Sequence, residues 1–169
     1  MRFRITESGV SPISHPGMPG GNYLASGIEH NERGAPTASG EVHARMNEKR
    51  IRKLDPLKRR RDLFLTEGDP HAPLALVSWG SVAGTAREAL ELARREGIQA
   101  KLLVPRLVFP VAEEVYEEFF RGVRAGLVVE QSHQGQLYRI LRMYVNVPTG
   151  VSSSSSSSSP QVQLSRYFW

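Results

Sequence analysis

The chain has 169 residues, 40 % of them hydrophobic and 23 % charged, which is the balance of a globular protein of one ordinary domain with attachments. It contains no cysteine, which excludes disulfides, thiolate zinc sites and cysteine-held iron–sulfur clusters within it and suits a cytoplasmic protein. The net charge of +5 is local: residues 45–61 carry nine cations against two anions, a net +7, which leaves −2 for the rest. No window approaches the roughly 18 uninterrupted apolar residues of a membrane span, and "MRFRITESGV" lacks the apolar core of a secretory signal.

In chain order, residues 1–40 read as an irregular arm. From Ser8 to Gly40 the chain is dense in Gly, Pro, Ser and Asn, which forbids a long helix or a central strand. Such an arm is expected to borrow order from a neighbour or stay mobile. Glu29, His30, Glu32 and Arg33 in "GIEHNERG" are dense charges for a loop and point to docking on a partner surface.

Residues 41–72 read as basic linker helices. Val42 and Met46 share a helical face that Ile51, Leu54 and Leu57 continue raggedly, and Asp55-Pro56 breaks the run into two short helices. "TEGDPHAP" (66–73) is expected to be a loop. Lys and Arg at this density neutralise phosphates without regard to sequence, so a nucleic-acid module over 45–61 is the alternative reading. No aromatic interleaves with the cations, and they spread around the helix axis as on a solvated connector.

Residues 73–150 alternate strand and helix. "LALVSW", "AKLLVP" and "GLVVE" are short apolar runs. Each is followed by a helical pattern: "SVAGTAREALELARRE", "PVAEEVYEEFFRG" and "GQLYRILRMY". Strand and helix in alternation imply βαβ crossovers, hence a three-layer α/β/α domain with a mostly parallel sheet. "VNV" (145–147) is a candidate for one more strand. Residues 151–169, with eight consecutive serines, read as a Ser-rich, poorly ordered tail, whether linker or placeholder.

Ligands of such sheets lie beyond the carboxyl ends of the strands, here "WGSVAG", "VPRLVFP" and "EQSHQGQ". Gly80-Ser81 opens a helix, but neither a dinucleotide fingerprint nor a P-loop surrounds it, so a tight turn with a helix cap suffices. Arg106 is placed to meet a carboxylate or phosphate of a neighbour, or an ordinary salt bridge. Glu130 and His133 can form an acid–base pair, but no nucleophile motif accompanies them. A polar turn that includes Gln131 and Gln136 and caps the third helix, or contacts another subunit, explains them as well. The histidines show no metal-ligand spacing. On these residues alone, a free-standing small-ligand α/β domain stays open.

"SGIEHNERGAPTASGEVHARMNEKRIRKL" resembles the stretch that follows the pyrimidine-binding domain in alpha subunits of the 2-oxoacid:ferredoxin oxidoreductases. The matching runs are Gly27 to Gly34 and His43 to Arg50, with "SPISHPGMPGG" similar to the loop before them. From Leu74 onward the pattern, ending in "VVEQSHQGQL", looks like the transketolase C-terminal domain of these subunits. The resemblance implies oxidative decarboxylation of a 2-oxoacid such as 2-oxoglutarate or pyruvate to an acyl-CoA. The holoenzyme would use thiamine diphosphate, Mg2+, coenzyme A and an iron–sulfur cluster, with ferredoxin as acceptor. It also implies that the activating glutamate lies before Met1 and that a thiamine-diphosphate-binding beta subunit holds the diphosphate and metal. This chain would then be structural, with no catalytic, cofactor or metal residue of its own. It would contact the rest of the alpha subunit and other chains of an oligomer, through residues such as Glu29, His30, Glu32, Arg33, Arg106, Gln131, His133 and Gln136.

Overall fold

The computed structural model describes residues 1–148; the Ser-rich tail expected over 151–169 lies outside the described residues. The chain divides into two compact units, one of Met1–Arg59 and one that begins at Arg60.

The first unit is built on one helix, α1 (Gly40–Arg52), capped by Ser39, whose hydroxyl accepts the Val42 N–H. The arm borrows order from α1 of its own unit. Gly9 packs so closely that a Cβ there would lie 2.6 Å from the Lys49 carbonyl oxygen, and its φ of 77° suits glycine alone. Lys49 is buried and donates to the Phe3 carbonyl at 2.8 Å, while Arg52 donates to the Thr6 carbonyl at 3.1 Å. Met46 is the apolar anchor of the helix, at 1 % exposure. Ile51, expected on the same face, is 63 % exposed. After Asp55-Pro56 the chain continues as a 3-10 turn, Asp55–Arg59, rather than a second α-helix.

The second unit holds a four-stranded sheet of β1 (Phe64–Gly68), β2 (Leu74–Ser78), β3 (Ala100–Pro105) and β4 (Ala125–Val129), ordered β1-β3-β2-β4. β2 lies parallel to both β3 and β4, and β1 pairs antiparallel with β3. β1 corrects the expectation that 41–72 is all linker helix and that the loop begins at residue 66. "FLTEG" is an edge strand, which needs only its sheet-facing side chains to be apolar. Phe64 is buried and Leu65 packs on the opposite face.

Three helices cover the sheet: α2 (Val82–Arg95), α3 (Glu113–Phe120) and α4 (Gln136–Tyr144). Alternation along β3 separates two cores. Leu102 and Val104 meet Ala83 and Ala86 of α2 on one face. Leu103, with Ala75 and Val77 of β2, meets Tyr116, Phe119 and Phe120 of α3 and Leu137 and Leu141 of α4 on the other. The architecture is therefore the expected three-layer α/β/α with a mostly parallel sheet. Burying each of these leucines is worth about 1.5–3 kcal/mol. α3 starts three residues later than the sequence pattern indicates, at Glu113, after Pro110. "VNV" forms no strand: Val145 and Val147 are buried in the α3–α4 core, and Pro148 accepts the Gly126 N–H at 2.7 Å beside β4.

Candidate functional site

The parallel strands bring three turns to one end of the sheet. β2 leads into α2 on one face, while β3 and β4 lead to α3 and α4 on the other, so the connections diverge around β2, the crevice where open α/β sheets hold ligands. Ser78 ties β2 to β4 at this end, its buried hydroxyl donating to the Val129 carbonyl at 3.0 Å.

The turn after β2 is tight: Gly80 has a φ of 61° and its carbonyl accepts the Ala83 N–H at 3.3 Å. Ser81 precedes α2 but makes no side-chain capping bond. The turn after β4 is built differently. Glu130 reaches over the start of α4, one oxygen accepting the Leu137 N–H at 2.9 Å and the other the Tyr138 N–H at 3.0 Å. Ser132 donates to Glu130 at 2.6 Å and accepts the Gln136 N–H at 2.8 Å. These contacts satisfy the first free donors of the helix and set a negative charge where its dipole favours one. An outside phosphate has no place left there, and the capping role accounts for Glu130 without acid–base chemistry.

The rim of this end is solvent-facing. Arg106, Gln131, His133 and Gln136 are all exposed. Beside them stand two aromatics it did not single out, Trp79 directly after β2, 37 % exposed, and Phe109 after β3, 55 % exposed. Large aromatics left open on a surface are the usual anchors of protein contacts, and position just beyond a strand's carboxyl end was the signal available for both.

The charged loop of the arm is organised within its own unit. Glu29 binds Arg50 through contacts of 2.7 and 3.1 Å and the His43 ring at 2.7 Å. The Arg50 guanidinium, with help from His43, lowers the Glu29 carboxyl to about 2. Glu32 accepts the Ile5 N–H at 2.7 Å, the His30 ring lies 4.1 Å from that of Phe3, and the Arg33 N–H binds Asn31 at 2.9 Å. Part of the basic run is likewise engaged within the chain. Lys49, Arg50 and Arg52 hold the arm, Arg60 pairs with Asp62 at 2.6 Å, and Arg61 with Glu118 at 2.9 Å. Cations engaged in this way are less available to phosphates, which makes the connecting role the simpler account of the run.

Among the described residues no group of three or more His, Asp or Glu converges as a metal site requires. The donor sets present do not fit a diphosphate with its metal, and a chain without cysteine cannot hold a thiolate-bound cluster. Among the same residues no helix is long and apolar enough to cross a membrane.

Residues 72–156 match the family model described as pyruvate:ferredoxin oxidoreductase core domain II. The chain is 34 % identical over 149 residues to the Aeropyrum pernix protein named 2-oxoacid:ferredoxin oxidoreductase 2, subunit alpha. It is 30 % identical over 152 residues to the Saccharolobus solfataricus 2-oxoacid:ferredoxin oxidoreductase subunit alpha. Each match takes in 86 % of this chain, which spans 23 % of the relative's length. Among solved structures it is similar to the 2-oxoglutarate:ferredoxin oxidoreductase of Magnetococcus marinus with 2-oxoglutarate, coenzyme A and succinyl-CoA bound. There the TM-score is 0.76 and the identity 31 %, over 87 % of this chain and 26 % of that one.

Proposed function

The chain belongs to the pyruvate:ferredoxin oxidoreductase core domain II family, and on that premise we propose that it is the C-terminal region of an alpha subunit of a 2-oxoacid:ferredoxin oxidoreductase. The observation that carries this reading is the agreement of fold and sequence with the Magnetococcus enzyme over 87 % of the chain. The whole enzyme oxidatively decarboxylates a 2-oxoacid such as 2-oxoglutarate or pyruvate to an acyl-CoA and passes the electrons to ferredoxin, in the cytoplasm.

The role of this region is structural. Thiamine diphosphate, Mg2+, coenzyme A and the iron–sulfur cluster are held by the rest of the alpha subunit and by a thiamine-diphosphate-binding beta subunit. The rim of Trp79, Arg106, Phe109, Gln131, His133 and Gln136 is a contact surface for those parts, and Glu29, His30, Glu32 and Arg33 shape the arm that accompanies it. In support, the exposed aromatics lie where a partner can cover them, and the turn geometry of β4 is closed to an external anion.

Calorimetry with thiamine diphosphate and Mg2+ tests this division of labour. The chain alone is expected to give no saturable heat. Tight binding by the chain alone would overturn the structural role.

A further inference from the structure

A groove between β1 and α3 holds a buried cation that the turns and the rim do not use. The groove has a volume of about 420 Å3, within the range of small-molecule sites. Phe64 and Thr66 of β1 form one wall, Val115 and Phe119 of α3 the other, and Lys101 of β3 lines it as well.

Lys101 is 4 % exposed. Its ammonium donates to the Pro70 carbonyl at 2.9 Å and lies 5.1 Å from the centre of the Phe119 ring. An ammonium has three N–H bonds to place, and a buried one is costly unless its charge is answered. Burial lowers the Lys101 pKa, and the charge of Asp69 works against that fall. The Asp69 carboxylate itself accepts the His71 N–H at 2.9 Å.

The other charges that line the groove are paired off. Arg61 binds Glu118 at 2.9 Å, and Glu67 is held at 2.6 Å by Arg87 of α2. With those pairs cancelled, Lys101 is the cation the groove offers: Asp69 answers part of its charge and the Pro70 carbonyl takes one of its three N–H bonds, which leaves N–H bonds for a ligand. The Thr66 hydroxyl adds a donor, and the edges of Phe64, Val115 and Phe119 that reach the groove give it an apolar floor for a hydrocarbon body.

We propose that this groove binds a small monocarboxylate with an apolar body, the carboxylate meeting Lys101 and the body lying among Phe64, Val115 and Phe119. The inference stands on the second unit itself and does not depend on the family reading.

The test is a titration of the full chain with 3-phenylpropanoate and, separately, with its neutral counterpart 3-phenylpropanol. The acid is expected to bind saturably and the alcohol at least about tenfold more weakly, the scale of one lost charge-assisted hydrogen bond. Lys101→Met, which keeps length and apolar packing, should lose the acid by a similar factor. In the wild-type chain labelled at lysine 13Cε, the Lys101 signal should move with the same saturation curve, so the answer does not depend on how the variant folds. Absence of saturable binding, equal binding of the alcohol, an unchanged Lys101→Met affinity or a stationary Lys101 signal would each overturn the proposal.

Discussion

Arg50 grips Glu29 with both ends of its guanidinium, Nη2 to Oε1 at 2.7 Å and Nη1 to Oε2 at 3.1 Å. A residue of the basic run thereby fastens the arm to α1, and two features that look unrelated in the sequence become one device. Geometry of this kind, with a planar fork against a carboxylate, is what distinguishes arginine from lysine at the position.

Glu29→Gln is expected to free the loop of residues 28–37 while leaving the second unit unchanged. Limited trypsin digestion read by mass spectrometry should show cleavage after Arg33 several-fold faster than in the wild type. An unchanged rate would mean that the ion pair does not hold the arm.

Acid should undo the same contact in a defined window. The Glu29 carboxyl titrates at about 2 against an ordinary 4.5 because Arg50 favours its charged form. A depressed carboxylate contributes its stability above the ordinary value and loses it as pH falls toward the depressed one. Attachment of the arm is therefore complete at neutral pH and declines between 4.5 and about 2. The Glu29 13Cδ shift should give a midpoint near the lower value, with amide exchange of the loop accelerating over the same range; a midpoint near 4.5 would contradict the pairing.

Glu130→Ala removes the acceptor for two backbone donors of α4. The loss should cost about 1–2 kcal/mol, as for other helix caps, and Ser132→Ala about 1 kcal/mol. Urea unfolding measures both. Stability unchanged in Glu130→Ala would return the residue to the list of candidates for chemistry.

Much of the second unit was legible because its signals are local. The run "AKLLVP" is β3 residue for residue, and Gly97 sits just past α2 with a φ of 72°. β1 escaped because Thr66 and Glu67 follow a charged stretch, and an edge strand shows only half an apolar pattern. What the arm rests on was not legible, for a different reason. Its order comes from backbone carbonyls of Phe3 and Thr6 accepting from Lys49 and Arg52, and contacts across more than forty residues leave no periodic trace. The cap by Glu130 was suspected from "EQSHQGQ", but Trp79 and Phe109 were passed over, since exposure of an aromatic cannot be read from its neighbours in sequence.

Leu103→Ala should cost about 2–5 kcal/mol, because the residue is wholly enclosed between the sheet and the α3–α4 layer. Leu127→Ala, at a residue 43 % exposed on β4, should cost under about 1.5 kcal/mol. Chemical denaturation of the two variants checks the layering; equal losses would show that β4 is covered in a way the fold does not account for.

The basic run should not retain nucleic acid. Random duplex is expected to elute from the protein at physiological ionic strength, with no difference when Arg59, Arg60 and Arg61 are all replaced by alanine. Saturable binding that the triple substitution abolishes would restore the binding-module reading.

The central claim is membership in a working 2-oxoacid:ferredoxin oxidoreductase. The most direct measurement is to purify the endogenous polypeptide that carries this sequence, identify its companions by peptide mass mapping, and assay 2-oxoacid-dependent, coenzyme A-dependent reduction of ferredoxin. The account predicts co-purification with a thiamine-diphosphate-binding subunit and activity with 2-oxoglutarate, pyruvate or a related acid. A polypeptide that purifies without such a subunit and without that activity would contradict it.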